Sequence, residues 1–180
     1  MNICVYGSSS EYTDGKYLDE GFTLGQRLAD ESHSVVFGGG TYGMMGAVAR
    51  GALDRDGELI GIAPHWIEDT EPMFEKCSEF IHVDTMDERK NKFVEYSDVF
   101  IIAPGGIGTM DEFFEAITLR QLGKINHEVI IFNIDNFYGD IITFIQRLRD
   151  EKLLKVDIES IFKIASDIDN IFEILEEMEE

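Results

Sequence analysis

Between residues 104 and 112 the chain reads Pro104-Gly105-Gly106-Ile107-Gly108-Thr109-Met110-Asp111-Glu112, a run suited to holding an anion. Proline ends a strand, glycines let backbone amides come close to a charged ligand, and a helix start leaves its first amides without partners. Thr109 is placed to cap that helix, and Glu112, three residues on, completes the spacing of a capping box. The same carboxylate is equally placed for catalysis, and spacing alone leaves both roles open. The helix dipole is a sufficient account of Asp111.

A second charged group belongs with this run. In the segment beginning at Met86, helical spacing puts Met86, Arg89 and Phe93 on one side. With Phe93 and Val94 facing inward, Arg89 points into the protein, where a guanidinium needs an anionic partner. A ligand phosphate and a structural carboxylate both meet that need. Lys90 and Lys92 add positive charge nearby, and Arg120 is a second inward candidate. Arg27 and Arg50 read as helix-surface residues.

Two more glycine- or serine-rich turns follow strands. Ser8, Ser9 and Ser10 offer hydroxyl and amide donors to a phosphate or sugar. Gly38-Gly39-Gly40-Thr41-Tyr42-Gly43 has the glycine spacing of a dinucleotide fold, with Gly39, Gly40 and Gly43 as candidate phosphate contacts. The acidic residue expected about 20 positions on, at the end of the next strand, is not there. Glu58 stands at that strand's start, and its end reads Ile62-Ala63-Pro64. Without Gly-Lys-Ser/Thr, the chain has no triphosphatase loop either. His33, His65, His82 and His127 show no metal-ligand spacing and there is no paired-cysteine site, so neither a metal nor a cofactor is expected. His65 and Trp66 either touch a ligand base or pack over the sheet.

The elements that must position these groups are short apolar strands ending in such turns, each followed by a helix. Strands are expected at 3–6, 35–37, 59–63, 80–83, 99–103 and 128–132. Helices are expected at 16–31, 43–53, 86–96, from 109 to about 122, 138–150 and 167–179, with 64–79 irregular. Strands apolar without alternation, flanked by helices, indicate an α/β fold with a mainly parallel sheet covered on both faces. Such folds bind ligands beyond the carboxyl ends of their strands, where the three turns converge.

Length and charge bound the rest. The 180 residues suit one domain, with the acidic 167–179 helix docked through an apolar stripe. Fifteen Lys+Arg against 36 Asp+Glu give a formal charge of -21, which opposes nucleic acid and anionic membrane as partners. A secretory signal and a membrane-spanning stretch are both lacking, and Cys4 and Cys77 suit a reducing, cytoplasmic setting.

Taken together, these segments resemble the Lonely Guy (LOG) family of cytokinin-activating nucleotide phosphoribohydrolases, long mislabelled as lysine decarboxylases. The family's Pro-Gly-Gly-x-Gly-Thr-x-x-Glu falls on Pro104 to Glu112, and its Met-x-x-Arg-Lys on Met86 to Lys90. Tyr6-Gly7-Ser8-Ser9 and Gly38 to Gly46 match in type and order, and the likeness spans about residues 2–150. It implies a Rossmann-like three-layer homodimer that hydrolyses the N-glycosidic bond of an adenosine 5'-monophosphate derivative. The catalytic arginine and glutamate would be Arg89 and Glu112. Phosphate would be held by Gly105, Gly106, Gly108 and Thr109 with Ser8, beside Met86 and Lys90. Ile107 and Asp87 depart from the tyrosine and histidine common at those positions, which bears on the preferred base. A non-catalytic nucleotide-binding or carrier protein is the competing reading; decarboxylation would need a cofactor lysine that no context here supplies.

Overall fold

The computed structural model describes residues 1–179. Seven strands form one sheet: β1 (Asn2–Tyr6), β2 (Ser34–Phe37), β3 (Leu59–Pro64), β4 (Glu79–Val83), β5 (Val99–Ile102), β6 (Glu128–Phe132) and β7 (Lys163–Ala165). Their order is β4-β3-β2-β1-β5-β6-β7, and every neighbouring pair is parallel. The helices are α1 (Gly15–Asp30), α2 (Gly43–Asp54), α3 (Met86–Tyr96), α4 (Ile107–Gln121), α5 (Gly139–Asp150) and α6 (Ile168–Glu179). The expected α/β, Rossmann-like three-layer architecture is the one observed.

Parallel strands buried on both faces carry apolar residues at every position, and β5 (Val99, Phe100, Ile101, Ile102) is buried throughout. One core joins Ile3, Phe37, Ile101 and Phe132 to α1, α2 and α6; the other joins Cys4, Val36, Phe100 and Ile131 to α3, α4 and α5. Alternate residues of one strand thus feed opposite layers. In α6, Ile168, Ile171, Phe172 and Leu175 are part of the first of these cores.

Small residues set the closeness of α1 and α2. A Cβ on Gly25 would lie 2.0 Å from the Val48 carbonyl oxygen, and one on Gly51 would lie 1.9 Å from that of Phe22. The strand β7 has no counterpart among the sequence expectations: only three residues long, it is too short for its alternation to register. Within 64–79, Pro64 and Glu79 belong to β3 and β4, the turn His65–Asp69 is helical, and 70–78 is irregular. No helix among the described residues is long and apolar enough to cross a membrane.

The strand order reverses between β1 and β5, and that switch point fixes where a ligand crevice opens. Two backbone bonds lock the turns there. The Ser8 amide donates to the Pro104 carbonyl oxygen (3.0 Å), and the Met45 amide donates to that of Ser8 (3.2 Å). Gly43, at φ +64°, allows this approach: a Cβ would sit 2.2 Å from the Ser8 oxygen.

Candidate active site

A cavity of about 370 Å³ opens over this switch point. Its floor is the start of α4. Gly106 is the N-cap residue and makes no side-chain cap, so the amides of Ile107, Gly108 and Thr109 have no intrahelical partner. Free amides at the positive end of a helix dipole are groups that suit an anion. Gly105 makes the turn possible in another way. A Cβ there would lie 2.1 Å from Thr109 Oγ1, so the buried threonine folds back over the glycine. A Cβ on Gly106 or Gly108 would meet nothing, which leaves their faces open to a ligand.

This geometry corrects one sequence expectation. Thr109 is not the N-cap and Glu112 is not its capping partner: α4 begins two residues earlier, and Thr109 is buried in its first turn. Another segment, Thr85-Met86-Asp87-Glu88, has the same four residue types and does form the box. There the Glu88 amide donates to Thr85 Oγ1 (3.1 Å) and the Thr85 amide to Glu88 Oε2 (3.4 Å). At 106–109 the glycines let the helix start before the threonine is reached.

Released from capping, Glu112 lines the cavity as a half-buried carboxyl. Burial pushes its pKa up from 4.5 to about 7, with Arg89 pulling the other way and Asp111 pushing up further. The group therefore changes charge near neutral pH, as acid–base residues at reaction centres do.

Arg89 faces the same cavity from α3 and is buried. Its anchors are carbonyl oxygens: Nε donates to Ile62 (3.0 Å) and Nη2 to Gly38 (3.0 Å). No carboxylate among the described residues forms an ion pair with it, which removes the structural-carboxylate alternative. Neutral acceptors at the ends of β2 and β3 fix the guanidinium without cancelling its charge, so a ligand meets a full positive charge.

The remaining expected site residues divide. Ser8, Met86, Gly106, Gly108 and Thr109 line the cavity. Gly105 lines an adjoining hollow with Tyr12, Tyr17 and Phe137. Gly39, Gly40 and Gly43 do not reach the cavity; they serve backbone packing, with Gly39 at φ +77° beneath the Phe80 ring. Lys90 does not reach it either. Its ammonium lies 2.5 Å from Glu115 Oε2 and 3.3 Å from Asp111 Oδ2, tying α3 to α4 behind Glu112. Arg120 is structural, paired with Glu128 at 2.9 Å and bonded to the carbonyls of His127 and Ser160. His65 and Trp66 are exposed and stand outside the cavity.

Sequence reasoning missed Glu71, which enters the cavity wall. The irregular segment is pinned by the Phe74 amide donating to the Gly39 oxygen (2.8 Å) and the Thr41 amide to that of Pro72 (3.2 Å). No periodicity announces such a contact. Pro72 beside it was the only local signal.

Known proteins resemble this chain over most of its length. A family model described as "Possible lysine decarboxylase" matches residues 45–175. The chain is 34% identical over 175 residues to cytokinin riboside 5'-monophosphate phosphoribohydrolase LOG2 of Arabidopsis thaliana, covering 97% of this chain and 82% of that protein. To the probable enzyme of the same activity LOGL1 of Oryza sativa subsp. japonica it is 33% identical, covering 99% and 78%. The fold is shared with the molybdenum cofactor carrier protein of Chlamydomonas reinhardtii, at 18% identity and a TM-score of 0.76 over 98% of this chain and 96% of that one. The molybdenum cofactor binding protein of Rippkaea orientalis shares it too, at 21% identity and a TM-score of 0.69 over 99% and 96%. The length and identity of the match to the plant enzymes exceed what fold alone produces, and the chain belongs to the LOG family of cytokinin riboside 5'-monophosphate phosphoribohydrolases.

Proposed function

We propose that this protein hydrolyses the N-glycosidic bond of AMP or an N6-modified AMP, releasing free base and ribose 5-phosphate. The observation that carries this reading is the pairing, in one cavity, of an uncapped helix N-terminus with a carboxyl titrating near neutrality and an uncompensated guanidinium. At about 370 Å³ the cavity is near the lower end of the roughly 300–1,000 Å³ typical of small-molecule sites, which suits a mononucleotide better than a dinucleotide.

The phosphate sits on the amides of Ile107, Gly108 and Thr109, with Ser8 beside them. Glu112, one turn into the same helix, then faces the ribose. As the C1'–N bond breaks, positive charge develops on the sugar, and a fixed carboxylate stabilises it and takes the proton of the attacking water. Arg89, held by carbonyl oxygens of β3 and the turn after β2, donates a hydrogen bond to the departing base, which takes from solvent the equivalent of the proton that Glu112 receives from water. Phosphate binding remote from the broken bond holds the sugar in place for attack.

Decarboxylation through a lysine-bound cofactor does not fit these residues. No lysine among the described residues lines the cavity, and Lys90, next to Arg89 in the chain, is engaged by two carboxylates. The chain acts as one unit in a cytoplasmic setting. It works as a homodimer, for which the family resemblance and the 87% exposure of Ile107 at the cavity mouth are the support.

The test is incubation of purified protein with AMP and with N6-prenylated AMP, followed by assay of free base and ribose 5-phosphate. Release from either is expected. Binding without release from both, at high enzyme concentration, overturns the hydrolase reading in favour of a carrier.

A further inference from the structure

Between β3 and β4 the fold gathers three ligand-type side chains that the cavity does not use. His65 opens the His65–Asp69 turn directly after β3, Glu68 lies in the same turn, and His82 is on β4. The register places Ala63 opposite His82, so His65 lies two residues beyond the position that pairs with His82. The two imidazoles lie face to face, with ring centroids 4.6 Å apart and planes 3° apart. Glu68 Oε1 is 3.2 Å from His82 Nδ1. All three side chains are exposed, each offering one ligand atom within 4.8 Å of the others.

The contact between Glu68 and His82 accounts for one pair and leaves His65 with only the stacked ring. Two imidazoles and a carboxylate around one cation use all three groups. Tetrahedral zinc, with bonds of about 2.0–2.1 Å, sets its ligand atoms about 3.3 Å apart. The Glu68–His82 separation already has that value. The remaining contraction falls to His65, an exposed ring with no hydrogen bond among the described residues.

We propose that His65, Glu68 and His82 bind a divalent transition cation of the zinc class, at a site separate from the cavity. Imidazole and carboxylate donors select Zn²⁺, Co²⁺, Ni²⁺ or Cu²⁺ over Mg²⁺ and Ca²⁺, which favour all-oxygen sets. A formal charge of -21 raises the local concentration of any cation. The bound ion clips the start of the 65–78 excursion to the edge strand β4. That excursion carries Glu71 into the cavity wall, so the clip steadies a wall of the active site without supplying chemistry to it.

The test is calorimetric titration of metal-free protein with Zn²⁺ in a non-chelating buffer. One equivalent is expected to bind, with His65→Ala and His82→Ala each weakening it at least tenfold and Mg²⁺ giving no signal. In the unmutated protein, sub-stoichiometric Co²⁺ is expected to broaden the imidazole proton resonances of His65 and His82 before those of His33 and His127. Zinc affinity in the double variant H65A/H82A within twofold of the unmutated protein overturns the proposal. So does earliest broadening at the other two histidines.

Discussion

Arg89 and Glu112 face one cavity from neighbouring helices, opposite in charge yet not joined as an ion pair. The guanidinium is held by the carbonyl oxygens of Ile62 and Gly38, and its charge is the largest influence opposing the burial that lifts the Glu112 pKa. The guanidinium is therefore fixed by the protein, and neither side chain is tied up by the other. A direct salt bridge would have neutralised both.

Replacing the carboxyl separates binding from turnover. Glu112→Gln is expected to fold and to bind AMP within about threefold of the unmutated protein, while kcat falls by a factor of about 10² to 10⁴, the usual range for a positioned proton-transfer group. Calorimetry and product assay measure the two halves. Unchanged turnover would return Glu112 to a structural role.

The same variant has a stability signature. The folded-state pKa of Glu112 is raised, so the folded protein keeps a proton that the unfolded chain releases between pH 4.5 and about 7. Stability then falls as pH rises through that window, because the folded state binds more protons there. Glu112→Gln removes the penalty. It is expected to exceed the unmutated protein by about 1–3 kcal/mol at pH 8 and to match it near pH 4, in urea unfolding at both pH values.

Rate should report the same ionisation. If the carboxylate is the active form, kcat/KM rises with pH to a plateau above about 7, the value for the free enzyme. A limb that falls through this range would mean that Glu112 acts as an acid instead.

Arg89→Ala tests the other partner. Loss of the positive charge that lowers it most should move the acid limb of kcat/KM to higher pH, since Arg89 holds the Glu112 pKa down. Donation to the departing base predicts a fall in kcat of about 10²-fold or more with a smaller change in KM. A rise in KM alone would relocate Arg89 to the phosphate. Two buried carbonyls lose their donor, at a cost of about 1–3 kcal/mol each, offset in part because a buried charge is also removed.

The glycines of the 104–112 run are not equivalent. Gly105→Ala drives a methyl into Thr109 and toward Gly7, so it should lower the melting temperature and abolish AMP binding together. A methyl at Gly108 meets no protein atom, so Gly108→Ala should leave melting unchanged within about 0.5 kcal/mol while weakening AMP binding. Equal thermal losses in the two variants would contradict the loop geometry.

Much of this was legible before folding. Apolar strand runs and helical spacing located the strands within about a residue, except β7, whose three residues carry too little pattern. The glycine turn and open helix start at 104–109 were readable because proline, glycine and a helix start act locally. Arg89 was readable because its helix has a clear inward side.

What stayed hidden depends on contacts distant in sequence. Lys90 looked like part of the site until the packing of α3 on α4 gave it Asp111 and Glu115. His82 came beside His65 and Glu68 only when β3 and β4 paired. The clearest case is the tetrapeptide Thr-Met-Asp-Glu, which occurs twice, at 85–88 and 109–112. By itself the sequence determined that both copies can cap a helix. Only the tertiary structure decided that the first does so, while the second enters an already started helix, buries its threonine over Gly105 and turns its glutamate into the cavity opposite Arg89.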